Sequence, residues 1–356
     1  MPVIAHVETV NAPYPVTQEE TVEIVRQLFA PHFPNIHRLL KVFDNGEIER
    51  RHFAAPLEWL KEERSFQEKN DVYIEQCVEM GKKAVEQCLQ STSTDKEEID
   101  AFFFISSSGL STPTIDIRIM NELSFPSHVK RIPIWGLGCA GGAAGISRAH
   151  EYLQAFPTDK VLVLCIELCS LTFQQKDISK SNFIGTSLFA DGAACVLMTG
   201  EKVKQNGIIL LTKDTHSVWL KDSEDVMGWK VKDNGLHVVF SRDIPTLIEK
   251  WLKPNVDEFL KKMNQSWHNV NYFIAHPGGK KVLDAYEKSL SLPRQKTNPS
   301  REVLRKQGNM SAPTVLYVLK NIIDHYHPKI NENGLLTALG PGFCAEMVWV
   351  EWRELK

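Results

Sequence analysis

The chain has 356 residues, of which 43% are hydrophobic and 24% charged, and its formal net charge is −3. These values are typical of a globular protein, and they give no global electrostatic reason to expect nucleic acid as a partner. The longest apolar runs, such as VLVLCIEL at 161–168, fall far short of the roughly 20 residues that a membrane-spanning helix needs. The N-terminus has no basic region followed by a long apolar segment, so no secretion signal is expected.

The cysteines indicate a reducing compartment. There are seven, an odd number, and most lie in apolar surroundings. This pattern fits reduced thiols better than a disulfide framework. No CxxC pair occurs and no His/Cys group has zinc spacing, so we expect a cytoplasmic protein without a structural metal.

The first hundred residues are expected to be mainly helical. Thr17 followed by Glu20 has the spacing of a capping box at the start of a helix. The stretch 70–90 repeats apolar residues at helical spacing. From residue 100 the pattern alternates, with strands expected at 100–109, 130–138, 159–168 and 188–200 and helices at 114–123 and after Cys139. Alternating strands and helices predict a buried, largely parallel sheet.

The second half of the chain repeats the order of these elements, with weak sequence identity. Strand, glycine-containing loop and helix are expected again over 270–290, and a helix followed by further strands over 308–352. We therefore predict an α/β protein of two similar halves, 1–200 and 201–356, stacked as five layers in the order α-β-α-β-α. The stretch 201–235 is rich in Lys, Asp and Gly and is the expected connection between the halves.

Cys139 is the first candidate for chemistry. It lies in GLGCAGGAAG, before an expected helix, where unpaired backbone N–H groups can lower the pKa of a thiol. The small residues around it would allow a substrate to approach the backbone closely. The alternative is a small buried residue in a glycine-rich turn, and this stretch alone does not decide between the two.

His276 and Asn309 are the candidate partners of this thiol. His276 ends an expected buried strand in NYFIAHPGG, and a nucleophilic thiol needs a base or a cation beside it. Asn309, in GNMSA, precedes an apolar helix and could equally be its N-cap. The repeated plan would bring the loop ends that carry these three residues together.

Four motifs, GLGCAGG, AHPGG, GNMSA and ALGPGF, resemble in order and spacing those of the type III polyketide synthases of the chalcone synthase family. The resemblance extends from about residue 15 over nearly the whole chain. IWGLGCAGGA, ELCSLTFQ and IGTSLFADG are more similar to bacterial members that make alkylpyrones or alkylresorcinols than to plant chalcone synthase.

The resemblance implies a thiolase fold, a homodimer, coenzyme A thioesters as substrates and a Cys139–His276–Asn309 triad. A Cys139 thiolate paired with a His276 imidazolium would take an acyl group from acyl-CoA. His276 and Asn309 would then donate hydrogen bonds to the enolate formed when malonyl-CoA loses carbon dioxide. Neither a metal nor another cofactor is required.

The resemblance also implies roles for further residues. Phe189 matches an aromatic gate between the coenzyme A tunnel and the cavity, whereas Val238 stands where the family has a second gating phenylalanine, which implies a wider cavity. Thr112 matches a residue that reaches into the partner subunit. Thr172, Ser311 and the Gly340–Pro341–Gly342 loop match cavity positions. Coenzyme A contacts are expected from Arg38, Lys41, Gly278 and Gly279.

Three alternatives remain at this point. An initiating β-ketoacyl synthase of fatty acid synthesis would share the fold and the triad, but would perform one condensation with malonyl groups from acyl carrier protein. A non-catalytic scaffold would keep the fold alone. A papain-like protease also uses Cys, His and Asn, but the aromatic setting expected after its cysteine is missing here.

Overall fold

The computed structural model describes residues 1–33, 35–205, 207–241 and 243–355. In these ranges the strands are β1 (Val3–Asn11), β2 (Tyr14–Thr17), β3 (Arg50–Phe53), β4 (Ala101–Ile105), β5 (Lys130–Ile134), β6 (Lys160–Leu168), β7 (Asp191–Thr199), β8 (Gly207–Trp219), β9 (Met227–Lys232), β10 (Gly235–Phe240), β11 (Tyr272–Ala275), β12 (Asn333–Gly340) and β13 (Cys344–Leu355). The helices are α1 (Gln18–Phe29), α2 (Ile36–Asp44), α3 (Leu57–Leu60), α4 (Phe66–Thr92), α5 (Ile115–Glu122), α6 (Gly141–Ala155), α7 (Lys180–Leu188), α8 (Ile244–Leu247), α9 (Lys253–Lys262), α10 (Lys280–Ser289), α11 (Asn298–Gln307) and α12 (Thr314–His325).

Nine strands form one hydrogen-bonded sheet in the order β11-β12-β13-β8-β1-β7-β6-β4-β5. Three of its strand pairings are parallel and five are antiparallel. The expectation of a largely parallel sheet was therefore wrong. A parallel pair needs a long crossover, whereas only three residues, 341–343, separate β12 from β13 and force an antiparallel hairpin.

Five layers can be followed through the packing. Alternate residues of β4 and β6 face opposite sides: Phe103 and Val163 pack with α6 and α12, and Phe102 and Leu162 pack with α4 and α5. A third core joins the outer face of β11–β13 to α9 and α10. The central helices α6 and α12 are thus covered by sheet on both sides, which confirms the predicted α-β-α-β-α arrangement.

The two halves of the sheet share one topology. In the first, β4 is parallel to β6, β6 antiparallel to β7 and β7 antiparallel to β1; in the second, β11, β12, β13 and β8 repeat these directions in the same order. β5 extends the first half by one strand. The halves meet where β1 pairs with β8 at Val3–Leu211 and Ile4–Leu210. The division of the chain at residue 200 stays a prediction.

Two segments were misjudged from the sequence. The expected connection at 201–235 contains β8, a 13-residue strand inside the main sheet, and β9 of the β9–β10 hairpin. The expected mainly helical start contains β1, which is also in the main sheet, and the β2–β3 pair. By contrast, the capping box is present: the Thr17 hydroxyl accepts from the Glu20 N–H, and the Glu20 carboxylate accepts from the Thr17 N–H.

Candidate active site

Cys139 lies in a tight turn between β5 and the central helix α6. Its single 3-10 turn, Gly138–Ala140, leads directly into α6. Gly138 has φ +46, and a Cβ there would lie 2.8 Å from the Pro341 ring, so glycine is required. The Ser107 hydroxyl accepts from the N–H groups of Gly136 and Gly138 at 3.1 and 3.2 Å. The thiol is therefore held on a fixed turn.

The small residues after Cys139 serve helix packing rather than the expected approach of a substrate. A Cβ on Gly142 would lie 2.2 Å from the carbonyl oxygen of Ala312, and one on Gly141 would lie 2.7 Å from Ile105. Gly145 faces Val163 in the same way. The glycines thus let α6 pack tightly against the segment before α12 and against the sheet.

His276 follows the last residue of β11 and is 2% exposed. Its N–H donates to the carbonyl of Thr337 at 2.9 Å, which fixes the backbone. Neither ring nitrogen has a hydrogen-bond partner among the described residues. A buried polar group without a partner costs about 1–3 kcal/mol, so this imidazole is a group that a substrate could satisfy.

Asn309 joins the Cys139 turn to the loop that follows His276. Its Oδ1 is 4.0 Å from the Cys139 Sγ, and its Nδ2 donates to the carbonyl of Gly278 at 3.4 Å. Its backbone pairs with the Phe189 segment, since the Asn309 N–H donates to Leu188 and the Ala190 N–H donates to Asn309. Asn309 is five residues before α12, so it is not the N-cap of that helix.

Ser311 completes this turn in a left-handed conformation, with φ +57. Its N–H donates to the Asn309 Oδ1 at 2.8 Å. This bond stabilises the backbone and orients the Asn309 amide toward the thiol and the Gly278 carbonyl. The structure therefore gathers Cys139, Asn309, Ser311 and the loop carrying His276 around one point.

Burial opposes charge on both candidate catalytic groups. It raises the pKa of the Cys139 thiol to about 12, although hydrogen bonding with the Ser311 and Asn309 side chains acts in the opposite direction. Burial lowers the pKa of His276 to about 3. Burial thus favours the neutral form of each group, and the thiolate–imidazolium pair stays a prediction. The reason is desolvation, which penalises each charged form.

Two glycine loops border the turns that carry Cys139 and Asn309. A Cβ on Gly340 would lie 2.4 Å from the Leu137 carbonyl oxygen, so the Gly340–Pro341–Gly342 loop packs directly against the Cys139 turn. Gly279 has φ +145, beside the Leu188 side chain, and Gly278 accepts from Asn309.

A mainly apolar cavity of about 510 Å³, including its opening, lies beside Phe189. Phe189, Thr172 and Val238 all line it, and their roles toward a substrate stay predictions. Cys139, His276 and Asn309 do not line it, and the link to them is the backbone pairing between Phe189 and Asn309.

Two aromatic residues beside Phe189 were missed from the sequence. The Trp229 and Phe240 rings lie 5.6 and 5.7 Å from the Phe189 ring. Phe240 is two residues beyond Val238 on β10, so aromatic packing against Phe189 comes from a neighbouring position. The alternation along β10, which places Val238 and Phe240 on one face, was the available signal.

Arg51 also lines the cavity and was not singled out from the sequence. It is fully buried and donates to the carbonyls of Thr186 and Phe189 at 2.7 Å each. It also donates to Gln18 and Thr21 at 2.9 Å. Desolvation lowers its pKa to about 9, with Asp191 acting in the opposite direction. Arg51 therefore fixes the end of α7 and the Phe189 backbone.

Glu167 is a second buried charged residue that was not expected from the sequence. It is 1% exposed at the end of β6, and its carboxylate accepts from the Ser107 N–H at 3.0 Å. Burial raises its pKa to about 7. Glu167 thus supports Ser107, which in turn holds Gly138. The sequence feature that could have identified Glu167 is its position as a carboxylate inside the apolar run VLVLCIEL.

Three predicted site residues lie on the surface. Thr112 is exposed in the loop between β4 and α5, and Arg38 and Lys41 are exposed on α2. The buried face of α2 packs on Phe183 of α7. The described contacts do not connect these three residues to Cys139, and their roles stay predictions.

Two features are absent from the described residues. These residues contain no helix that is both long and apolar enough to cross a bilayer. They also contain no group of three or more His, Cys, Asp or Glu side chains placed to hold a metal ion. That no cofactor takes part in the reaction stays a prediction.

Sequence comparison places this geometry in a family. The N-terminal domain of chalcone and stilbene synthases matches residues 12–202, and their C-terminal domain matches residues 213–352. A Bacillus subtilis protein named, provisionally, as a chalcone synthase is 51% identical over 350 residues, which cover 96% of each chain. A 1,3,6,8-tetrahydroxynaphthalene synthase of Streptomyces peucetius is 31% identical and covers 98% of this chain and 93% of its own. A phloroglucinol synthase of Pseudomonas fluorescens is 30% identical, with 95% of each chain covered.

A solved structure shares the fold of this chain. The crystal structure of 1,3,6,8-tetrahydroxynaphthalene synthase from Streptomyces coelicolor, a bacterial type III polyketide synthase, superposes with a TM-score of 0.93 at 27% identity, covering 99% of this chain and 100% of that one. The predicted thiolase fold is thereby confirmed. The chain belongs to the chalcone and stilbene synthase family of type III polyketide synthases, condensing enzymes that transfer acyl groups from coenzyme A thioesters.

Proposed function

We propose that the enzyme condenses a medium- or long-chain fatty acyl-CoA starter with successive malonyl-CoA units and releases alkylpyrones, alkylresorcinols or both. The observation that carries the choice of starter is the hydrogen bonding of the cavity beside Phe189. Its polar lining residues are Thr21, Arg51, Ser170, Thr172, Asn182 and Thr186, and each already bonds within the chain.

A cavity whose polar groups are already paired favours a hydrocarbon. For example, the Thr172 hydroxyl donates to the Cys169 carbonyl, and the Thr186 hydroxyl donates to the Asn182 carbonyl, both at 2.7 Å. A keto-rich chain placed here would exchange its bonds to water for few new ones, which is unfavourable. An alkyl chain gains about 0.8 kcal/mol for each methylene removed from water.

The proposed catalytic cycle uses the triad in two ways. His276 holds the Cys139 proton as the sulfur attacks the acyl-CoA carbonyl, and passes it to the departing coenzyme A sulfur, which leaves as the thiol. The C–C bond of malonyl-CoA then breaks, carbon dioxide leaves, and the electron pair remains as a thioester enolate. Hydrogen bonds from His276 and the Asn309 amide stabilise the enolate oxygen. The enolate carbon attacks the Cys139 thioester and gives an extended acyl-CoA, while the sulfur leaves as a thiolate and the site takes up one proton from solvent before the next cycle.

The remaining substrate contacts belong to the same proposal. Arg38 and Lys41 would bind the phosphates of coenzyme A, and the Gly278–Gly279 loop would lie along the pantetheine arm. The Gly340–Pro341–Gly342 loop would form the wall next to Cys139. The support is that both glycine loops border the turns carrying Cys139 and Asn309.

We further propose that the enzyme works as a homodimer, with Thr112 reaching the cavity of the second copy. Leu110 and Trp135, beside Thr112 and Cys139 in sequence, are 40% and 52% exposed. The Trp135 Nε1 donates to the carbonyl of Gly109, next to Leu110, and a contiguous exposed apolar patch of this kind marks an interaction surface. Sedimentation of the wild type and of Trp135→Glu tests this: we expect a dimer that the substitution weakens, and a monomeric wild type would contradict it.

The central experiment offers purified enzyme an acyl-CoA and malonyl-CoA without carrier protein. We expect mass spectrometry to find multiply extended alkyl products with the wild type and none with Cys139→Ala. Products built from malonyl-CoA alone, with no acyl starter incorporated, would contradict the starter class. A single condensation that depends on acyl carrier protein would instead favour an initiating β-ketoacyl synthase.

A further inference from the structure

The apolar cavity beside Phe189 is closed on one side by a thin wall. Leu60 and Phe173 line this cavity and also a second cleft of about 390 Å³. The two residues, which we call the end wall, are therefore all that the two spaces share.

The cleft beyond the end wall is polar. It is lined by Glu62, Glu63, Arg64 and Lys176, among others. Lys176 pairs with Glu63 at 2.7 Å, and both side chains are more than half exposed. A chain that passed the end wall would move from hydrocarbon surroundings into water and charge.

Both residues of the end wall are held firmly. Leu60 ends α3, is 8% exposed and packs with Val16 and Phe53. Phe173 follows the turn that carries Thr172, and its ring meets Phe29 edge-on at 6.2 Å.

A lysine fixes the Phe173 backbone. The Lys69 Nζ donates to the Phe173 carbonyl at 2.9 Å and to Gln174 at 3.2 Å. Since side chain and backbone are both restrained, Phe173 does not simply swing aside to lengthen the cavity.

The cavity thus extends between two functional limits. On one side is Phe189, whose backbone pairs with Asn309 beside the Cys139 thiol. On another side is the end wall. A cysteine-bound acyl chain that passes Phe189 would run through the cavity toward Leu60 and Phe173.

We propose that Leu60 and Phe173 are specificity-determining residues that set the longest starter chain the enzyme binds, with the terminal methyl group against the end wall. This inference rests on the proposed function. Each methylene buried before the wall strengthens binding by about fourfold, and a methylene beyond it gains nothing. Selectivity should therefore fall for chains that exceed the cavity.

Substitutions at Leu60 test the end wall from both sides. The substrate is an equimolar mixture of saturated acyl-CoA starters from hexanoyl to octadecanoyl with malonyl-CoA, and mass spectrometry gives the product ratios. Leu60→Ala opens the wall, and we expect the ratio of long-chain to short-chain products to rise about tenfold. Leu60→Trp shortens the cavity, and we expect that ratio to fall about tenfold.

Trp59→Ala is the matched control. Trp59 precedes Leu60 on α3 and lines the polar cleft but not the apolar cavity. Its product ratios should equal those of the wild type. An equal shift in Trp59→Ala and Leu60→Ala would assign the effect to a loosened α3 and overturn the proposal.

The remaining outcomes separate this inference from the proposed function. Thermal unfolding shows whether the Leu60 variants are folded. If they are folded and keep the wild-type product ratios, the end-wall proposal is overturned and the proposed function is not. A wild type that extends no acyl-CoA starter overturns both. If Leu60→Trp does not fold, Phe173→Leu, which also opens the wall, carries the test beside Leu60→Ala and should raise the ratio in the same direction.

Discussion

The two halves of the sheet follow one strand order but carry different side chains at matching positions. α6 begins at Gly141 and α12 at Thr314, so Cys139 and Ala312 both lie two residues before a central helix. β4 ends at Ile105 and β11 at Ala275, which makes Ser106 the counterpart of His276. The shared topology brings the loop ends together, and each half then supplies a different part of the chemistry.

Glu167 also has a counterpart of different chemistry at the matching position of the second half. Ile105 pairs with Cys165 in the first half, and Ala275 pairs with Thr337 in the second. Two residues further along, the first half has Glu167 and the second has Leu339. A carboxylate supports the turn that carries the thiol, whereas the matching strand end in the second half contributes to an apolar core. The halves thus differ in electrostatics more than in backbone.

The largest effect on activity is expected from a substitution of Asn309, whose side-chain amide lies in the second half. Asn309→Asp keeps an acceptor for the Ser311 N–H but removes the Nδ2 donor. Loss of one hydrogen bond to a developing oxyanion typically costs about 10²–10³-fold, so malonyl-CoA decarboxylation should fall by that factor. Loading of Cys139, followed by intact-protein mass after adding acyl-CoA, should fall much less.

Asn255→Asp on α9 controls for the charge change, because its amide donates to the Trp251 carbonyl in the turn just before α9. It should leave both steps unchanged. Equal losses of loading and decarboxylation in Asn309→Asp would show that Asn309 shapes the site rather than stabilising an enolate.

The next largest effect concerns the pH dependence of stability that Glu167, in the first half, is expected to cause. Burial raises the pKa of Glu167 from 4.5 to about 7, so the folded protein binds this proton more tightly than the unfolded chain does. The resulting stability is fully present below about pH 4.5 and is lost as the pH rises through about 7. Glu167→Gln removes the ionisation, and its free energy of unfolding should exceed that of the wild type near pH 8 by up to about 3 kcal/mol.

Urea unfolding near pH 4.5 and near pH 8 measures this difference. The exposed residue Glu97 provides the control, since Glu97→Gln should not change the pH dependence. A constant difference between Glu167→Gln and the wild type across this range would show that Glu167 does not titrate on unfolding in the way its burial implies.

A smaller effect is expected where the halves pack together. A Cβ on Gly142 would lie 2.2 Å from the Ala312 carbonyl oxygen and 2.8 Å from Val315. Overpacking of this kind costs about 1–3 kcal/mol, so Gly142→Ala should lower the free energy of unfolding by that amount. At Gly46 a Cβ would make ordinary contacts from 3.4 Å, and Gly46→Ala should change stability by less than about 1 kcal/mol. Equal effects would mean that α6 can move away from Ala312.

The sequence predicted local elements well where their own residues decide them. The Thr17–Glu20 cap, the long helix α4 and the strands β4 and β6 lie where periodicity put them. β1 and β8 were missed because their place depends on partners about 200 residues away in sequence. Strand direction was misjudged because it depends on how the strands are connected.

The candidate site shows the same limit. Cys139, His276 and Asn309 could be selected because each ends or precedes a predicted element. The sequence could not show that Gly142 faces Ala312 rather than a substrate, or that both ring nitrogens of His276 lack partners among the described residues. Such facts depend on distances across the two halves.

The smallest effect is expected for His276→Gln, which should leave the reactivity of Cys139 unchanged if this residue is a neutral thiol rather than a thiolate paired with His276. With its pKa raised to about 12 by burial, Cys139 should be alkylated by iodoacetamide at a rate that rises about tenfold per pH unit from pH 7 to 9, since the thiolate is the reactive form. Peptide mass spectrometry reads this rate beside that of Cys344, the other half-buried thiol, whose pKa is raised to about 11. The Cys139 slope should persist in His276→Gln. A flat wild-type profile that becomes pH-dependent in His276→Gln would instead establish a thiolate–imidazolium pair, and the attraction between the two halves' charges would then outweigh the cost of burying them.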